Sequence, residues 1–321
     1  MSRFARLGTL PGLMFLLSAP LATAQEATAP AGAPAQLDPA AAAALLDRAC
    51  EVMLALPAGA FTSDLELDSA IGRGSGMPGM AGDGTRVRGG WKGDLRWGDT
   101  DDDTFVVQNG RMVTKGRDGW KLRSKKLTSG GEAPYLAAPR LLFRQLQSLP
   151  AAARTVAHVE ADDMRGTPVQ IVSLQLQAAA AEDLALSGAL PQPGSGMFFP
   201  MGGMFGGGPP QMTYTVDLAL SIDPATGRVL RVRSKSYEDN PVLANVRIQF
   251  GQGGGDDEPE DASADRDDDA PAGAIEWKKG LPVRKPSRTE SVAYFKLDFQ
   301  DHGEATPPEV DEAGSRWLED R

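Results

Sequence analysis

The sequence predicts an α+β domain: a large antiparallel sheet of about ten strands, apolar on one face, with helices packed against that face. Three observations carry this. Residues 213–223 alternate, with Tyr214, Val216, Leu218, Leu220 and Ile222 at even positions and Thr213, Thr215, Asp217, Ser221 and Asp223 between them; only Ala219 blurs the pattern. A period of two sends successive side chains to opposite faces, so this is a strand with one oily and one wet side. Turn signals recur about every ten residues, the spacing of a meander. Two segments, 38–56 and 138–149, instead carry apolar residues at helical spacing.

The chain begins with Arg3 and Arg6, runs apolar through Leu13, Met14, Phe15, Leu16 and Leu17, and reaches Ala22-Thr23-Ala24. Residues 1–24 therefore read as a secretory signal peptide. Gly12 and Pro20 break the apolar run, which is too short to span a bilayer. No cysteine sits at the cleavage site, so a lipid anchor is not expected and the location is periplasmic or secreted. Residues 25–37 are an Ala/Pro/Gln spacer, and 38–318 form a single domain with low-complexity inserts at 72–84, 188–211 and 251–273. Exported chains often carry disulfides, yet Cys50 is the only cysteine, so stability has to come from packing.

The formal charge of −10 becomes −12 when Arg3 and Arg6 leave with the signal. Of this, −8 lies in residues 256–269, which hold nine carboxylates against Arg266. That segment reads as a solvated loop. The remainder is an ordinary surface charge, and nothing basic and aromatic points to nucleic acid.

Each element has its own justification. Asp38-Pro39 supplies an N-cap and a proline at the first helical position. Leu45, Ala49, Val52 and Leu56 line one helical face, with Leu46, Cys50 and Met53 beside them, until Pro57 and Gly59 stop it. Phe61, Leu65 and Leu67 alternate with acidic residues in the first strand, and Val87 to Trp97 reads as a second. Phe105-Val106-Val107 leads into Asn109-Gly110, a strong hairpin signal. Asp118-Gly119 turns the chain again into Trp120 and Leu122. Leu141, Leu142, Leu146 and Leu149 share the face of the second helix. A hairpin runs from Val156 through Asp162 to Gly166 and back along Val169 to Leu176, and a short helix covers 178–186. Asp223-Pro-Ala-Thr-Gly227 is the turn that reverses the central strand into Val229, Leu230 and Val232. Strands are also expected at 243–250, 275–277 and 292–299. A terminal helix starts near Thr306 and ends near Trp317, whose ring is expected to pack on the sheet edge.

This order, with Asn109-Gly-Arg-Met-Val113, Asp118-Gly-Trp-Lys-Leu122, Ile222-Asp-Pro-Ala-Thr-Gly-Arg-Val229 and Tyr294-Phe-Lys-Leu-Asp-Phe-Gln-Asp-His-Gly303 before Pro307-Pro308, resembles the LolA/LolB-like periplasmic lipoprotein-carrier superfamily. That superfamily includes LppX/LprG-type lipid-binding lipoproteins and RseB-like sensor domains. The resemblance implies a strongly curved, incomplete barrel plugged by helices on its concave face, with an apolar hollow for acyl chains. It covers roughly residues 38–318. No family site residue maps onto this chain.

Candidate chemistry is sparse. His158 and His302 are the only histidines, and neither lies in a zinc-ligand spacing. Asp99, Asp101 and Asp103 alternate like the start of a calcium loop, but Thr104 stands where glycine is required and Gly110 where the closing glutamate belongs. Gly74-Ser-Gly-Met-Pro-Gly79 spells a dinucleotide fingerprint without the strand and helix that such a site needs. Cys50 reads as a small buried hydrophobe. No catalytic residue, metal or cofactor is expected, and the chain reads as not an enzyme.

The carrier reading expects a ligand wall of Leu65, Leu67, Trp91, Leu174, Leu176, Val216, Leu218, Leu220 and Phe295. Its lid would be Met197, Phe198, Phe199, Met201, Met204 and Phe205. The Gly/Met loops also suit contact with a membrane, a protein partner or Cu(I), or no role at all. The expected ligand is a lipid, an acyl chain or a lipidated protein. The alternative is an interaction module with a closed core, acting through those loops. Oligomeric state is left open.

Overall fold

The computed structural model describes residues 37–70, 82–100, 104–124, 139–191, 193, 212–241, 275–287, 289–300, 302–303 and 305–319. The signal peptide, the spacer up to residue 36, the acidic insert, the expected strand at 243–250 and the six lid residues lie outside them. The described residues belong to one compact unit.

Helix α1 (Pro39–Ala55) is followed by strands β1 (Ala58–Asp68), β2 (Gly82–Lys92), β3 (Leu95–Asp99), β4 (Thr104–Gln108), β5 (Arg111–Gly116) and β6 (Gly119–Ser124). Helix α2 (Pro139–Ser148), the hairpin β7 (Arg154–Met164) and β8 (Thr167–Leu176), and helix α3 (Ala178–Leu186) come next. Strands β9 (Thr213–Ile222) and β10 (Val229–Asp239), the ribbon β11 (Trp277–Lys278) and β12 (Leu281–Pro282), β13 (Glu290–Gln300) and helix α4 (Glu312–Leu318) complete the chain.

Eleven strands make one curved antiparallel sheet in the order β6-β5-β4-β3-β2-β1-β13-β10-β9-β8-β7. Its two edges, β6 and β7, do not pair, so the barrel is incomplete. The first and last strands meet at its middle: β1 lies between β2 and β13, with Leu65 opposite Phe295. Helices α1, α2 and α3 pack on the concave face, whereas α4 lies on the outer face. Residues Ala42, Leu45, Leu46, Ala49, Cys50 and Met53 of α1 and Leu142, Phe143 and Leu146 of α2 enter the main core. Asp38 caps α1 as expected, accepting from the Ala41 amide at 2.8 Å. Arg140 of α2 donates to Leu54 O at 2.9 Å and Gly93 O at 3.2 Å, tying both helices to the β2–β3 turn.

The register shows why the sheet can bend. Aromatic rings lie over glycines on neighbouring strands: Trp91 over Gly59, Phe61 over Gly89, Phe105 over Gly98, and on the other face Trp97 over Gly90. A Cβ at Gly98 would stand 2.0 Å from Phe105 Cζ. Glycine lets the backbone kink, and the ring refills the missing packing.

Four expectations need correction. Residues 87–97 are not one strand: Gly93, with φ +59°, and Asp94 turn the chain, and β2 begins at Gly82, inside the expected insert. The insert expected from 188 starts later, because Ala189 and Leu190 are buried. Helix α4 starts at Glu312, behind Asp311, whose carboxylate accepts from the Gly314 amide at 2.7 Å as the N-cap. Trp317 is 48% exposed, and Leu318 instead packs on Trp120, Val106 and Val113.

The side of β9 that reads as wet is partly dry. The β11–β12 ribbon crosses the outer face there, burying Ala219 with Val169, Ile171 and Leu281. At its tip Gly280 (φ +77°) has room for no side chain: a Cβ would meet Ile171 Cγ2 at 2.4 Å and Ala219 Cβ at 2.9 Å. Ala219, the residue that blurs the alternation, is where the ribbon touches down. Ser173 Oγ donates to Gly280 O at 2.6 Å, and Trp277 stacks on His158 with ring centroids 4.8 Å apart.

Candidate functional site

Residues directly opposite each other in an antiparallel sheet share a face, so the pairing register reads out the concave wall. One row runs Leu65, Phe295, Ser234, Leu218, Leu174 and Val156 across six strands. The row beside it runs Leu67, Ala293, Ser236 and Val216. The nine expected wall residues all belong to, or pack against, the main hydrophobic cluster that the helices cover. Leu65, Trp91, Leu174, Val216, Leu218, Leu220 and Phe295 are at most 8% exposed, whereas Leu67 and Leu176 are half-buried at its margin.

The sequence reading missed the middle of that wall. Ser234, Ser236 and Ala293 place small side chains where β10 and β13 meet, each at most 1% exposed. Among the described residues neither Ser234 Oγ nor Ser236 Oγ has a hydrogen-bond partner, and neither has the Trp91 indole nitrogen. The available signal was serine at positions of β10 where alternation from Val232 calls for an apolar residue. Arg233 and Lys235, which alternate with the serines, face outward and donate to Lys279 O and Pro282 O of the ribbon.

The groups most apt for chemistry are occupied structurally. Burial pushes the Cys50 thiol up to about 12, so it stays protonated and is no nucleophile. His158 is held in the Trp277 stack, and a ring nitrogen of His302 lies 3.2 Å from Val229 O. Among the described residues no group of three His, Cys, Asp or Glu side chains is placed to hold a metal. No helix among them is long and apolar enough to cross a membrane. Of the calcium-loop residues, Asp99 accepts from Thr104 Oγ1 at 2.9 Å, while Asp101 and Asp103 lie outside the described residues.

The outer face of the same strands is polar and tightly paired. Arg231, Asp298, Lys296, Asp64 and Arg86 form a ladder of ion pairs across β10, β13, β1 and β2. Burial would raise the Asp298 carboxyl, but hydrogen bonds from Arg231 and Lys296 outweigh it and hold it below the usual carboxylate range. Asp217 is different: burial raises it, and Arg284 and Lys235 offset only part of the effect. Arg284 lies 3.5 Å above the Tyr237 ring, and burial pushes that phenol up to about 12.

No family model matches this chain, and no curated protein matches it. Among solved structures it is similar to the Mycobacterium tuberculosis lipoprotein LppX, at 10% identity and a TM-score of 0.37, covering 85% of this chain and 100% of that one. LprF from Mycobacterium bovis follows at 12% identity and a TM-score of 0.36, covering 86% and 99%. A LolA superfamily protein from Nitrosomonas europaea is similar at 9% identity and a TM-score of 0.26, covering 83% and 94%. These are proteins of the kind the sequence motifs resemble, and at such identities and scores the likeness carries neither ligand nor activity to this chain.

Proposed function

We propose that this chain is an exported, non-enzymatic carrier or sensor that shelters a lipophilic ligand between its curved sheet and helices. The ligand would be an acyl chain, a lipid or a lipidated protein. One observation carries the reading: the small, unpartnered patch of Ser234 and Ser236 at the centre of an otherwise apolar wall. A buried polar group without a partner costs about 1–3 kcal/mol, and a closed core has no reason to keep two side by side. An ester carbonyl or hydroxyl of a bound lipid would satisfy them. Its acyl part would lie along Leu218, Val216 and Phe295, where burial contributes about 25 cal/mol per Å². Leu67 and Leu176, half-buried, would form the mouth.

The test is native mass spectrometry and lipid extraction of the protein purified from an exporting host, with uptake of a fluorescent fatty acid. Co-purified lipid is expected. Removing the hydroxyls with Ser234→Ala and Ser236→Ala is expected to cut uptake about fivefold while preserving the thermal transition. Protein that arrives empty and takes up no probe ends the carrier reading. A second reading is favoured by the near-complete burial of seven of the nine wall residues, Leu65 through Phe295, at 8% exposure or less. It is a closed-core interaction module, acting through the Gly/Met loops.

A further inference from the structure

A groove of about 760 Å³ lies on the outer face of β1–β6, roofed by residues 306–309. It faces away from the ligand wall, so it stands or falls independently of the carrier reading. Register builds its floor. Thr62 on β1 is opposite Arg88, Arg88 is opposite Asp99, Asp99 opposite Thr104, and Thr104 opposite Lys115. One row thus alternates hydrogen-bond donors and acceptors at the strand spacing of about 4.8 Å. Trp97, whose ring lies over Gly90, supplies an aromatic surface beside the row, and Glu309 and Gln300 add a carboxylate and a carboxamide. Among the described residues Arg88, Lys115 and Glu309 hold no ion pair, and all three are exposed.

The mixture of groups limits the ligand class. A simple anion offers only acceptors and would face Asp99 and Glu309. A simple cation would face Arg88 and Lys115. An acyl chain would strand all of them. A peptide adding as a strand needs free backbone, but the strands flooring this groove are paired on both sides from β1 to β5. Thr104 already donates to Asp99 at 2.9 Å, and hydroxyls both donate and accept, so a polyol suits the remaining capacity of Asp99 as well as Arg88 and Lys115, while the apolar face of a pyranose ring packs on an indole. The strand spacing is comparable with the repeat of an extended sugar chain.

We propose that this groove is a saccharide-binding site, taking a linear oligosaccharide laid across strands β1–β5 beneath residues 306–309. Arg88, Asp99 and Glu309 would contact hydroxyls, and Trp97 would stack on a ring. The mature full-length protein is titrated with maltohexaose, cellohexaose and chitohexaose by calorimetry and tryptophan fluorescence, with tripolyphosphate as the anion control. At least one hexasaccharide is expected to bind with a Kd below about 1 mM and to perturb the fluorescence. Arg88→Ala and Glu309→Gln, both exposed, are each expected to weaken it about fivefold or more with the thermal transition unchanged. Three results overturn the proposal. They are no binding by any of the three sugars up to about 10 mM, binding that survives both substitutions, and tripolyphosphate binding that strengthens in Glu309→Gln.

Discussion

Asp298 on β13 and Asp217 on β9 sit on the same face of the sheet, with β10 between them, and respond to pH in opposite directions. The Asp298 carboxyl is held low by Arg231 and Lys296 despite burial. Its stabilisation is therefore present above the unfolded-state value of about 3.9 and is lost as pH falls through the lower folded value. Asp298→Asn is expected to cost about 1–3 kcal/mol at pH 7, because it leaves the Arg231 charge without its partner, and the difference should shrink below about pH 4. Asp217 is raised by burial, with Arg284, Lys235 and Tyr237 opposing and Glu290 adding to the rise. A raised carboxyl favours its neutral form in the fold, so its contribution is full below about pH 3.9 and is lost as pH rises through the folded value. Asp217→Asn should thus be no less stable than the parent at pH 7. Urea unfolding of both variants at pH 7 and pH 3.5 checks the signs; a destabilised Asp217→Asn at pH 7 would refute this account.

At the scale of the element, curvature rests on rings replacing missing side chains. Gly98 has no space for a methyl group, since its Cβ would stand 2.0 Å from Phe105 Cζ. Gly98→Ala is expected to lose about 1–3 kcal/mol by overpacking, and trimming the partner with Phe105→Leu should recover part of it. Calorimetric melting of the two single variants and the double variant measures the coupling; strict additivity would mean that the pair does not act together. The β9–β10 turn shows the same economy. Asp223 accepts from the Ala225 amide at 2.9 Å and from Thr226 Oγ1 at 2.6 Å, Gly227 takes φ +74°, and Arg48 of α1 donates to Ala225 O at 3.1 Å. A local turn signal thereby becomes the seat of a helix.

For the whole molecule, the decisive fact is that the first and last strands pair at the sheet's centre. β1 carries β2 on one side and β13 on the other. Within the sheet the halves on either side are joined by the β1–β13 pairing, which spans most of the sequence, so closure of a very long loop precedes those stabilising contacts. A chain ending at residue 287 lacks β13 and α4, and is expected to show no cooperative urea transition by tryptophan fluorescence, whereas the full chain shows one. A cooperative truncated protein would mean that each half of the sheet is stable alone.

Local physics was enough for much of this. The period of two in β9, the Asp38-Pro39 start of α1, the Asn109-Gly110 hairpin with both φ angles positive, and α3 over residues 178–186 were all legible, because each depends on side chains within a few positions of one another. The nine wall residues could be named as apolar and strand-borne, and they do gather in one cluster. What the sequence could not disclose depends on contacts between distant segments. Ala219 reads as an imperfection until Gly280 is seen lying on it, Ser234 and Ser236 come together in the wall only because β13 and β9 flank β10, and Arg88, Asp99 and Lys115 share a row only because three hairpins fall into register. Periodicity settles which residues are apolar together; only tertiary pairing decides which polar ones are brought side by side, and the candidate sites are made of those.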